Sequence, residues 1–122
     1  MEVKIDTKEK FHVITIKEAI LAANMTEELD KSLSPLLQND VKNVVLKMED
    51  IHTVEDAAAV YLAQVQQHFY ENNASFVICL LQPEVEAILE KLELLEVMNV
   101  TPTESEAWDI VQMEEIEREF LD

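Results

Sequence analysis

Six side chains able to do chemistry stand close together in "KMEDIHTVEDAAAVYLAQ", Lys47 to Gln64: Glu49, Asp50, His52, Thr53, Glu55 and Asp56. Carboxylates gathered on one turn are the raw material of a Mg²⁺ or Ca²⁺ site, because hard divalent cations take oxygen ligands. The spacing matches no cation-binding loop, and no glycine lets the chain wrap an ion, so a solvated acidic turn is the better reading. A phosphoaspartate receiver needs an acidic pair after its first strand and a lysine near its last. Asp6 stands alone, and the only base after Lys91 is Arg118. His12, His52 and His68 lie far apart, with no serine or cysteine in a nucleophile arrangement. Cys79 sits inside "SFVICLL", the setting of a buried strand thiol rather than a reactive one. The residues give no support to an enzyme, a bound metal or a cofactor.

Composition narrows the choice further. Glycine is absent from all 122 residues, which excludes the phosphate-cradling and dinucleotide-binding loops that need backbone without a Cβ. Turns at positive φ are expected at Asn39-Asp40 and Asn72-Asn73, where the next most tolerant residues stand. The net charge is -17, and it is uneven: residues 1 to 81 hold 13 acids and 7 bases, residues 82 to 122 hold 13 and 2. Such a surface repels phosphate backbones and anionic membranes, so neither nucleic acid nor membrane is an expected partner. A protein carrying basic patches fits; charge that only keeps the chain soluble is the other reading. No apolar run reaches the roughly 18 residues of a membrane span, and "MEVKIDTKEK" lacks the apolar core of a signal peptide. A single domain over residues 1 to 122, located in the cytoplasm, is the expectation.

The acidic turn must be positioned by the elements around it. "VKI" and "HVITI" read as an opening pair of strands, "VKNVVLKM" and "SFVICLL" as strands buried on both faces, and the segment around Met98 to Val100 as a short strand. Asn24 with Glu27 predicts the start of a first helix with Met25, Leu29, Leu33, Leu36 and Leu37 on its apolar face. Thr53 with Asp56 predicts a capping box for a second helix through Ala58, Leu62, Val65 and Phe69, ending at Asn72-Asn73. Pro83 opens a third helix, and Thr103-Glu104-Ser105-Glu106 caps a long last one. Strand and helix alternate, which gives an α/β sandwich with a mixed sheet of four to five strands and about four helices.

"VVLKMEDIHTVEDAAAVYLAQ", "ASFVICLLQPEVEAILEKLELLEVMNV" and "TPTESEAWDIV", in that order, resemble the STAS domain of the bacterial anti-sigma factor antagonists. The likeness runs over nearly the whole chain, and "MEEIERE" resembles the C-terminal extension of members from Bacteroidetes; an acidic helical extension is expected at about 113 to 122. The family's glycines and its D-S-S-G helix start are missing. Matched residue by residue, Glu55 falls on the family aspartate, Asp56 on the phosphoacceptor serine, Ala57 on the second serine and Ala58 on the glycine, while Lys47 replaces the aspartate of the preceding strand.

The resemblance implies a protein-interaction regulator that binds an anti-sigma factor or other histidine-kinase-like ATPase protein around Thr53, Glu55, Asp56, Ala57 and Ala58, without the usual serine phosphorylation switch. A STAS subunit of an ABC transporter complex, or a nucleotide-binding phosphoryl-transfer domain, are the alternatives. Asp56 is either a partial phosphate mimic, with one fixed charge where phosphoserine carries about -1.5 to -2, or a first-turn acid at a helix N-terminus. Trp108 and Tyr61 read as packing aromatics. In the tail, Met113, Ile116 and Phe120 alternate with glutamates, so one face has something apolar to meet: its own domain or a second copy in a homodimer.

Overall fold

The computed structural model describes residues 1–121. Strands β1 (Val3–Thr7) and β2 (Phe11–Ile16) form the expected antiparallel pair, with Val3 opposite Ile16 and Thr7 opposite His12. A two-residue strand, β3 (Ile20–Leu21), leads to α1 (Thr26–Leu33). Then come β4 (Asn43–Lys47), the short β5 (Thr53–Val54), α2 (Asp56–Glu71), β6 (Phe76–Cys79), α3 (Pro83–Lys91), β7 (Val100–Thr101) and α4 (Glu104–Leu121). The main sheet runs β1-β2-β4-β6-β7; every pair but the first is parallel.

From β2 onward each new parallel strand is added on the same side of the last, through α1, α2 and α3 in turn. Crossovers of one hand that advance in one direction place their helices on one face of the sheet. The packing agrees. Leu29 and Leu33 of α1, Leu62 and Phe69 of α2 and Val85 and Leu89 of α3 join Ile14, Ile16, Leu46 and Ile78 in one core. Among the described residues α4 alone covers the opposite face, where Ala107 and Val111 meet Phe11, Val13, Val45, Val77 and Cys79, with Trp108 tilted against Phe11 at 5.1 Å between ring centroids. Trp108 and Tyr61 are thus packing aromatics, Tyr61 being fixed by a hydrogen bond donated to Asp30.

Local expectations are corrected in four places. Asn24 does not cap α1: it lies in a 3-10 turn, Ala23–Met25, and Met25 is the N-cap. The helix-one stripe splits, α1 ending at Leu33 and a 3-10 segment Ser34–Gln38 carrying Leu36 and Leu37. The last strand is Val100–Thr101 rather than Met98 to Val100. Among the turns, Asn73 takes φ 60 as expected, but Asn39 is extended at φ -89, and Leu80 (φ 63) and Glu93 (φ 60) take the left-handed conformation instead. Glu93 does so because α3 ends in a Schellman-type closure, the Leu94 amide donating to Leu89 O at 2.9 Å.

Candidate functional site

The segment from Lys47 to Asp56 leaves the C-terminal edge of the parallel strands, the edge where open α/β sheets place their sites. Met48 and Ile51 are fully buried and pin the turn to the core from inside. Outside, the turn is tied to two other parts of the chain. The amides of His52, Thr53 and Glu55 donate to Ala19 O, Ala19 O and Leu21 O, which makes β5 a parallel partner of β3. The Gln82 amide group at the head of α3 donates to Glu49 O at 2.7 Å.

This ladder overturns the Thr53–Asp56 capping box. Thr53 is extended in β5 and points to solvent, and the N-cap of α2 is Glu55, at φ -71 and ψ 151. The Glu55 side chain does not cap its own helix either. Its Oε1 accepts the Ala23 N–H at 2.6 Å. Two segments distant in sequence are thereby locked together at the start of α2, while the helix's first N–H groups receive no side-chain cap. Such groups carry the positive end of the helix dipole and favour an anion beside them. Asp56 stands at that end as the first helical residue, exposed, and among the described residues its carboxylate accepts no hydrogen bond.

Of the five residues singled out by sequence, Thr53, Glu55, Asp56 and Ala57 are exposed around one helix start; Ala58 is fully buried and belongs to the core. The acids of the turn do not converge. Glu49 pairs with Lys47 at 3.4 Å, Asp50 with Lys17 at 3.5 Å, and Glu84 on α3 takes His52 at 3.4 Å. Among the described residues no group of three His, Cys, Asp or Glu side chains is placed to hold a metal ion. The bend of the chain thus draws Glu49, Asp50 and Glu55 to separate partners and leaves Asp56 facing solvent.

Lys47 has a second partner that the sequence did not suggest. Its ammonium lies 3.1 Å from Glu104 in the first turn of α4, and that contact raises the lysine's pKa. The pair joins the end of β4 to the start of the helix on the other face of the sheet. Beside Lys47 in the register is Cys79, whose thiol burial pushes up to about 12. It is inert at neutral pH. The left-handed Leu80 follows directly, at the same edge.

The STAS domain family's sequence profile matches residues 2–107. Among curated proteins no sequence matches. Solved structures share the fold: the anti-sigma factor antagonist SpoIIAA in its unphosphorylated form superposes with a TM-score of 0.71 at 16% identity, covering 91% of this chain and 96% of that one. RsbS from Moorella thermoacetica, in a serine-to-glutamate variant, gives 0.75 at 18% identity over 92% and 96%. An anti-sigma factor antagonist from Mycobacterium paratuberculosis gives 0.78 at 11% over 91% and 93%. With the profile match spanning most of its length, this chain belongs to the STAS domain family.

Proposed function

We propose that the chain is a non-enzymatic regulator of the anti-sigma factor antagonist kind, acting in the cytoplasm, and that the surface around the start of α2 is where it meets an anti-sigma factor or related histidine-kinase-like ATPase protein. One observation carries the reading: Thr53, Glu55, Asp56 and Ala57 are exposed on a helix start that buried anchors and a non-local ladder hold rigid, with the helix's amides uncapped. A preorganised surface of that kind loses little entropy when a partner docks.

In this reading the serine switch is gone. Asp56 occupies the phosphoacceptor position with a permanent charge, so binding is set by the level of the partner rather than by modification. Affinity capture from the native cell with the tagged full chain, read by mass spectrometry, tests the proposal. Enrichment of a kinase-like ATPase regulator supports it. Enrichment of an ABC ATPase moves the chain to a transporter complex, and recovery of no regulatory protein in cells that express it contradicts the proposal.

A further inference from the structure

The helix on the second face of the sheet is apolar on both sides. Its inner side buries Ala107 and Val111 against the strands and is fastened near its end by Arg118, which donates to Ser75 Oγ at 3.2 Å and Asn43 Oδ1 at 3.3 Å. On the outer side, Met113, Ile116 and Phe120 recur at intervals of three and four residues and are 57%, 53% and 85% exposed. At 100° per residue these three fall on one stripe about half a turn from Ala107 and Val111. The domain's own core therefore cannot cover them, which removes one of the two occupants expected from the sequence.

The charges beside the stripe identify what can cover it. Seven acids and one base lie between Glu104 and Leu121, and the base, Arg118, is turned inward onto Asn43 and Ser75. Glu106, Asp109, Glu117 and Glu119 are all exposed and border or continue the stripe. Two copies packed stripe to stripe would bring carboxylates against carboxylates with no lysine or arginine among the outward residues of this helix to separate them. An anionic lipid surface is repelled for the same reason. A helix with an apolar seam and flanking lysines or arginines satisfies both requirements, since its seam covers the three apolar side chains and its cations meet the acidic rim.

We propose that the outer face of α4 is a second protein-docking surface, and that its occupant is a basic amphipathic helix of another protein. The surface is independent of the α2 start, which lies with the helices on the opposite face of the sheet. The chain is thereby equipped to hold two partners at once.

The probe is a synthetic 18-residue peptide of leucines at helical spacing and lysines elsewhere, titrated into the full chain by fluorescence anisotropy. Two comparison peptides have the same composition in scrambled order, or glutamate in place of every lysine. The helical basic peptide should bind at least tenfold more tightly than either, and weaken several-fold as salt rises from low to near-physiological strength. The double variant Ile116→Ser and Phe120→Ser, which replaces only exposed side chains, should lose at least tenfold in affinity with its thermal melt nearly unchanged. Equal binding of the scrambled peptide, binding that survives the double variant, or no binding at all would overturn the proposal. So would sedimentation showing a dimer of the chain that the same double variant abolishes, because a second copy would then be the occupant.

Discussion

The Glu55 carboxylate accepts the Ala23 amide at 2.6 Å and so reaches away from the helix whose N-cap position it holds. A side chain that would ordinarily satisfy its own helix instead staples the chain ahead of α1 to the start of α2. The first-turn amides of α2 are left for Asp56, for water, or for a partner.

Removing that staple tests its worth. Glu55→Ala should lower stability by about 1 kcal/mol, the usual net value of one hydrogen bond, while Glu55→Gln, which keeps an acceptor oxygen, should lose less. Urea unfolding of the three proteins measures the difference. Equal midpoints would mean the contact contributes nothing.

Glu93 pays for a left-handed backbone at the exposed end of α3. The conformation costs a non-glycine residue roughly 1–2 kcal/mol, so Glu93→Gly should stabilise the domain by a large part of that, reduced by glycine's freedom in the unfolded chain. A raised melting temperature confirms it; a lowered one shows that the Glu93 side chain makes a stabilising contact.

Burial of Cys79 fixes a pH dependence. Its thiol titrates near 12 in the fold against an ordinary value of 9.0. Well below pH 9.0 both folded and unfolded thiols hold their proton and the residue leaves the pH dependence flat. Between 9.0 and about 12 the unfolded thiol ionises first, so stability falls as pH rises. Cys79→Ala should flatten part of that alkaline slope in urea titrations, and the native thiol should resist a disulfide reagent at pH 8. Rapid labelling of the folded protein would refute the burial.

Much of this arrangement was legible in the sequence because long elements advertise themselves. The apolar run through Val44, Val45 and Leu46, the period of Leu62, Val65 and Phe69, and Pro83 at a helix start all appear in the structure as read. Thr103 also caps α4 as expected, accepting the Glu106 amide at 3.2 Å, although the returning bond is made hydroxyl to carboxylate rather than carboxylate to amide. The site's own geometry was less legible. A two-residue ladder between Ile20–Leu21 and Thr53–Val54 has no periodicity to detect, yet it draws Thr53 out of the capping position that T-x-x-D suggests. Likewise Lys47 and Glu104 are 57 positions apart, and only the return of α4 across the sheet brings them together. Asparagine is the natural choice for left-handed turns in a chain without glycine, and Asn73 takes that conformation, but the local closure of α3 also sets it at Glu93, and Leu80 takes it directly after β6.

Asp56 separates two roles by measurement. As a partial phosphate mimic it weakens binding, so Asp56→Ser should strengthen the captured partner's affinity by roughly 1 kcal/mol. As a first-turn acid alone it only stabilises α2, and the same change would cost some tenths of a kcal/mol in stability with affinity unchanged. Incubation with the partner and ATP should leave Ile51 to Gln64 of the natural chain unmodified. Phosphate on Thr53 would restore a switch displaced by three residues.

If the exposed start of α2 faces the partner, a bulky charge at Ala57 must disturb binding, because Ala57 is exposed in the first turn and has only a methyl group to lose. Calorimetric titration of the captured partner into Ala57→Arg, beside the natural chain, is the measurement. The proposal predicts affinity reduced at least tenfold, about 1.4 kcal/mol, with a nearly unchanged thermal melt. Equal affinity for the two proteins would place the partner elsewhere on the domain.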